Sequence, residues 1–223
     1  MKYNNIIEGK FISRPNRFIA YVEIDGKREA VHVKNTGRCK ELLTNGARVL
    51  LEVSDNTERK TKYDLIAVYK GKALVNMDSQ APNKVALEFI RENCQDAKIK
   101  PEYTYGSSRI DICVNDKSLI EVKGVTLENN GIAMFPDAPT ERGIKHINEL
   151  IRAKNDGYES YILFVIQMKG VREFKPNYKT HREFGEALVK AEKAGVKILA
   201  YDCIVTENSL KIDAPVSISL SED

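Results

Sequence analysis

The pattern of apolar and polar positions changes character near residue 81. Before it, six short runs are half apolar and separated by turn residues, as strands are: Ile6 to Ser13, Arg17 to Ile24, Arg28 to Lys34, Ala47 to Ser54, Tyr63 to Tyr69 and Ala73 to Met77. Asp25 and Gly26 supply a hairpin turn between two of them. One short helix is predicted over Cys39 to Leu43, just before Asn45 and Gly46. Five or six strands with a small helix inserted suit an OB-like β-barrel, an architecture that often binds single-stranded nucleic acid.

After Gln80, Ala81, Pro82 and Asn83 the period becomes helical. Val85, Ala86, Phe89 and Ile90 form one stripe in Lys84 to Asn93, with Glu88 just outside it. Lys98 to Tyr105 reads as a strand, and Ile132 to Phe135 as another. A helix is predicted over Glu141 to Lys154, capped by Asp137 or Thr140. Its buried stripe is Ile144, Ile147, Leu150 and Ile151, and Arg142, Lys145, His146 and Glu149 recur on a polar face. Tyr158 to Gln167 and Val196 to Val205 read as strands around a helix at Thr180 to Ala194, with Leu210 to Ser219 as an edge strand. Such alternation implies crossover connections and a central mixed sheet flanked by helices. The expectation is an α+β protein of two domains, residues 1–81 and 82–223.

Arg109 to Thr126, RIDICVNDKSLIEVKGVT, carries the candidate chemistry. Alternation puts Ile110, Ile112 and Val114 on one side of a strand and Arg109, Asp111 and Cys113 on the other. Glu121 and Lys123, two apart, share a face of the next strand, with Ile120 and Val122 behind them. An odd-length connection pairs Cys113 with Leu119 and sets Asp111 opposite Glu121, whereas a two-residue turn at Asp116 and Lys117 would part the acids. Opposed like charges repel at cross-strand distances of about 4.5 to 5.5 Å and need compensation. A divalent cation supplies it, since Mg²⁺ takes oxygen ligands and only one or two carboxylates. The bland alternative is an exposed strand face in which Lys123 offsets two solvated acids.

Composition excludes several classes. With 42% hydrophobic and 30% charged residues the chain is that of a globular protein. No apolar run approaches the roughly 18 residues of a membrane span, and Met1 to Lys10 lacks a signal-type segment, so a cytoplasmic location is expected. Cys39, Cys94, Cys113 and Cys203 form no C-x-x-C pair, which argues against a zinc knuckle or disulfide framework. Residues 1–81 hold 15 basic and 10 acidic side chains and the remainder 20 and 22, so the first part is the expected polyanion surface. Within it, Lys34, Asn35, Thr36, Gly37 and Arg38 form a polar loop that suits a phosphate contact or a plain strand-to-helix connection. His32 beside it reads as structural, and His181 as a helix-start residue.

The D-x9-E-x-K arrangement resembles the PD-(D/E)xK phosphodiesterase core. From VHVKNTGR through SRIDI and EVKG to FPDAPTERGIKHINEL, nearly the whole chain resembles the sugar fermentation stimulation protein A family. The resemblance implies a restriction-endonuclease-like carboxy-terminal domain and DNA as partner. It implies Asp111, Glu121 and Lys123 as catalytic residues, with Glu88 as an additional acid. Asp111, Glu121 and the carbonyl of Val122 would hold Mg²⁺ or Mn²⁺, and Arg142, Lys145 and His146 would look into the site. Neither a membrane nor a small-molecule cofactor is expected, and a homodimer is left open. The rival expectation is a non-cleaving DNA-binding regulator of sugar (maltose) catabolism genes. An enzyme acting on sugars has only the family's phenotype behind it.

Overall fold

The computed structural model describes every residue except Thr36, Thr57 and Asp223. The first six strands are β1 (Ile6–Ser13), β2 (Ile19–Ile24), β3 (Lys27–Val33), β4 (Arg48–Val53), β5 (Tyr63–Lys70) and β6 (Ala73–Asn76). They run in the order β3-β2-β1-β4-β5-β6, and a parallel β3–β5 pairing closes β1 to β5 into a barrel. The predicted helix at Cys39 to Leu43 is a turn instead. Cys39 stands at φ +45°, and its carbonyl accepts from both Leu42 and Leu43, whose side chains are buried. Five residues followed by a turn are too few to sustain helical propagation, so burial of the two leucines decides the geometry.

The second half begins with α1 (Ala81–Asn93), three residues earlier than its apolar stripe predicts, because Pro82 fits the first helical turn where its missing N–H costs nothing. Next come β7 (Ile99–Tyr105), β8 (Ser108–Val114), β9 (Ser118–Val125), β10 (Leu127–Asn129) and β11 (Ile132–Phe135). The remaining elements are α2 (Glu141–Asn155), β12 (Glu159–Ile166), β13 (Glu173–Pro176), α3 (Arg182–Lys193), β14 (Lys197–Thr206), β15 (Ser209–Pro215) and β16 (Ser217–Ile218). The main sheet has the order β15-β14-β12-β9-β8-β7, with β9, β12 and β14 parallel and the outer pairs antiparallel. A second, four-stranded sheet, β10-β11-β13-β16, lies beyond it. Its β10 and β13 have no counterpart in the sequence reading, since three- and four-residue strands carry too little period to detect.

Period-two alternation assigns the faces of the main sheet. Leu163 and Val165 pack with Val85, Ala86 and Ile90 of α1, whereas Ile162, Phe164 and Ile166 pack with Ile147 and Leu150 of α2 and Leu188 of α3. Phe164 and Phe174 stack at 4.1 Å between centroids, joining the two sheets. The α2/α3-side core also contains Val22, Val31, Leu65 and Met77 of the barrel, so one apolar cluster runs through both halves. No helix among the described residues is long and apolar enough to cross a membrane.

Candidate active site

The β8–β9 connection is odd-length: the strands end and restart at Val114 and Ser118, and Cys113 pairs with Leu119. On β9, Leu119 and Val125 join the α2-side core while Ile120 and Val122 face α1. Glu121 and Lys123, alternating with them, therefore project toward α2. Glu121 is 2% exposed, and its Oε1 accepts from Lys123 Nζ at 2.5 Å and pairs with Nδ1 of His146. Its Oε2 is buried with no hydrogen-bond partner. Burial pushes this carboxyl up, but the His146 hydrogen bond and the Lys123 charge outweigh it and hold it below the ordinary glutamate value.

Asp111 departs from the simple register. The β8–β9 ladder stops at Ile112↔Ile120, one pair short of Asp111 and Glu121. On the other edge, the β7–β8 ladder passes from Pro101↔Ile112 to Tyr103↔Ile110, skipping Glu102, which stands at φ +53°. β8 thus rolls over at Asp111, and Ile110 packs in the α2-side core with Cys113 and not beside Ile112 as alternation predicts. Released from regular pairing, the Asp111 carboxylate accepts from Val122 N–H at 2.8 Å and from Asn83 Nδ2 of α1 at 2.9 Å. Burial and then the negative charge of Glu121 raise its pKa above the usual carboxylate range.

The other candidates divide. Glu88 lies away from this centre: half exposed, it pairs with the amine of Met1 at 2.6 Å. Five positions along a helix rotate about 140°, so the α1 residue that reaches Asp111 is Asn83. Val122 contributes its N–H. His146 is 7% exposed and not on an open polar face, and Glu149, one turn on, is 3% exposed with Oε2 unpartnered. Arg142 Nε lies 3.3 Å from His146 Nε2, a geometry satisfied when the imidazole proton sits on Nδ1 and points at Glu121. Lys145 is exposed on α2. Thr140 caps α2, accepting from Gly143 N–H at 3.1 Å, while His181 stands at the start of α3 without a side-chain capping bond and instead accepts from Thr140 N–H.

The loop after β3 is built by internal bonds. Lys34 Nζ sits among Glu52 (3.2 Å), Asp64 (3.4 Å) and Asp78 (3.9 Å), a compensated position with its charge already spent on carboxylates. Asn35 donates to Met77 O and accepts from Gly37 N–H. Thr36 lies outside the described residues. A Cβ at Gly37 would lie 2.5 Å from Asp137 Oδ2 and 2.9 Å from Asn35 Oδ1, so any larger residue would push those side-chain ends aside. Arg14, which the strand pattern does not single out, spans the loop by donating to the carbonyls of Asn35, Gly37, Arg38 and Arg17.

Facing loops from the two halves enclose a cleft of about 750 Å³. Arg14, Arg17, Arg38 and Lys40 line one wall, and Phe135 to Thr140 the other. A smaller cavity of about 180 Å³ shares Gly37, Phe135 and Asp137 with it and continues to Gly124, next to Lys123. The clustered cations at Arg14 and Arg17 were not singled out from the sequence, where Arg17 only opens a predicted strand. Asp111 and Glu121 are the carboxylates at hand for an ion. Among the described residues no group of three or more His, Cys, Asp or Glu side chains is drawn together as a ready cage.

Two family models divide the chain in the same sense as its sheets. The SfsA N-terminal OB domain matches residues 12–77, and the sugar fermentation stimulation protein RE domain matches residues 80–209. A sugar fermentation stimulation protein homolog of Desulfitobacterium hafniense (strain Y51) is 57% identical over 227 residues, covering 100% of both chains. The chain belongs to the SfsA family. A homolog of Clostridium beijerinckii is also 57% identical, over 99% of this chain and 100% of its own. Among solved structures, SfsA of Pyrococcus furiosus, described in complex with Ca²⁺, superposes with a TM-score of 0.86 at 26% identity, covering 98% of each chain. The barrel and the mixed sheet are thus the SfsA architecture, and the cleft between their loops is a feature of this SfsA-family chain that its own basic side chains define.

Proposed function

We propose that this SfsA-family chain is a metal-dependent phosphodiesterase that hydrolyses nucleic-acid backbone, with DNA as partner and Mg²⁺ or Mn²⁺ as the ion. One observation carries the reading: Glu121 keeps a buried, unpartnered carboxylate oxygen beside Asp111, whose pKa is raised by burial and by that same charge. Two crowded, partly dehydrated acids suit a hard divalent cation, and Mg²⁺ asks for no more than one or two carboxylates with water and phosphate completing its shell. That SfsA of Pyrococcus furiosus is described in complex with Ca²⁺, itself an ion that takes oxygen ligands, supports a divalent-ion site here. When bound, such an ion supplies Lewis-acid polarisation of phosphate and a more acidic water.

The chain's own residues do the rest. Asn83 and the Val122 N–H fix Asp111, and His146 fixes Glu121, so neither acid has to reorganise. Lys123, 16% exposed and paired with Glu121, is placed to orient an attacking water or neutralise charge growing on phosphate oxygens. Arg17, Arg38 and Lys40 receive the flanking backbone phosphates. The test is hydrolysis of labelled DNA in Mg²⁺ by the wild type, Lys123→Ala and Asp111→Ala. Cleavage is expected from the wild type alone, with all three proteins folded. A wild type that binds DNA without cutting it, or variants that still cut, would overturn the proposal, and the former outcome would leave a non-cleaving regulator.

A further inference from the structure

We propose that the basic cleft takes a single DNA strand that runs on past Arg17 to stack a base on Phe18, in preference to a duplex; this rests on the phosphodiesterase reading and names its substrate form. Phe18 is 56% exposed, more than any other large hydrophobic side chain among the described residues. It is firmly held all the same. Its N–H and that of Ile19 both donate to Asn16 Oδ1, at 2.9 and 3.0 Å, and its carbonyl accepts from Val33 N–H at 2.7 Å. The ring is thus presented to solvent by a fixed backbone.

Its neighbours supply the charge. Phe18 is not itself a lining residue of the cleft but directly follows Arg17, which is, and whose carbonyl is anchored by Arg14 at 2.7 Å. Among the described residues, Arg17, Arg38 and Lys40 form no ion pair, whereas Lys34, Arg48 and Arg59 each hold a carboxylate. Asp137 is the one described acid on the cleft wall. Unpaired cations beside an exposed aromatic are the combination that holds single strands: phosphates meet the charge, and a base meets the ring through its π-face. A duplex buries those faces in its own stack. The cleft volume of about 750 Å³ is that of a small-ligand site, so a duplex, whose major groove alone is about 12 Å wide, would lie across its mouth and leave the cleft unfilled.

The experiment is fluorescence anisotropy on the full chain in a chelator, where nothing is cut, with labelled oligothymidylate and a duplex of equal length as probes. The expected results are tighter binding of oligothymidylate than of duplex, a loss of roughly 5- to 100-fold for the single strand in Phe18→Ala, and recovery in Phe18→Tyr. Duplex affinity should be unmoved by either variant, and Arg38→Ala should lower the salt dependence for both probes. Equal affinity for the two probes, or a Phe18→Ala protein that binds oligothymidylate as the wild type does, would overturn the inference. Cleavage in Mg²⁺ reads the parent proposal separately. A protein insensitive at Phe18 that still hydrolyses DNA defeats only the stacking, and one that stacks but never hydrolyses defeats only the phosphodiesterase.

Discussion

Glu121 shows how much a single carboxylate can ask of its surroundings. Buried at 2% exposure, it stays ionised because two donors converge on one oxygen while the other is left open. Removing His146 takes away a hydrogen bond to a charged group, worth about 1.5 to 3 kcal/mol. His146→Ala should therefore lower the thermal midpoint by roughly 3 to 10 °C in a chain of this size, as followed by circular dichroism. An unchanged midpoint would mean that the bond does not hold the acid. At this scale Glu121 and Lys123 were legible from alternation alone, because two residues of one strand must share a face. Spacing put His146 and Glu149 on a polar helical face, since it reports a face but not what packs upon it, and only the family resemblance turned His146 toward the site, where it meets Glu121. Asn83 was hidden for a different reason. An amide in a helix's first turn looks like ordinary capping chemistry, and the acid it holds lies 28 positions away.

Elements position these side chains through close approach. Gly124 follows Lys123 on β9, and a Cβ there would lie 2.6 Å from Pro82 Cγ and 2.7 Å from Gln167 Oε1. The bare backbone lets the start of α1 and the end of β12 close on the strand that carries the site. Gly124→Ala should destabilise the protein by about 1 to 3 kcal/mol through overpacking, measured as a lower urea midpoint at constant slope; a midpoint within error of the wild type would show that Pro82 and Gln167 give way freely. The helix at Glu141 and the strands at Ile6, Tyr158 and Val196 were readable to within two residues because each spans several periods, whereas the edge strand expected over Leu210 to Ser219 is broken, β15 closing the main sheet and β16 joining the second. The roll of β8 at Asp111 was not, for it depends on Glu102 leaving the ladder of a neighbouring strand.

Across the whole molecule, the two halves share an apolar core and a polar seam. Gln167 of the sheet domain donates to Asn76 Oδ1 and to Asp78 O, and Lys34 reaches both Asp64 in β5 and Asp78 at the junction. Burial raises the Asp64 pKa, but the Arg59 and His32 hydrogen bonds and the Lys34 charge overcome it and bring it to about 2. Because the folded value lies below the ordinary 3.8, Asp64 adds stability that is present above that ordinary value and is lost as pH falls through about 2. Asp64→Asn should thus flatten the fall in thermal midpoint between pH 4 and pH 2, as read by parallel melts; curves of equal slope would refute the linkage. The seam was invisible in a sequence divided at residue 81, since its partners lie up to 91 positions apart. What the architecture finally delivers is a pair of buried, crowded acids on strands whose Gly124 opens to the smaller cavity adjoining the cationic cleft, and calorimetric titration of Mn²⁺ into the intact protein tests directly whether those acids hold an ion. The expected result is a binding site lost in Asp111→Asn and in Glu121→Gln but kept, or tightened, in Lys123→Ala, where a competing ammonium has been removed from Glu121. Binding that survives loss of either acid would contradict it.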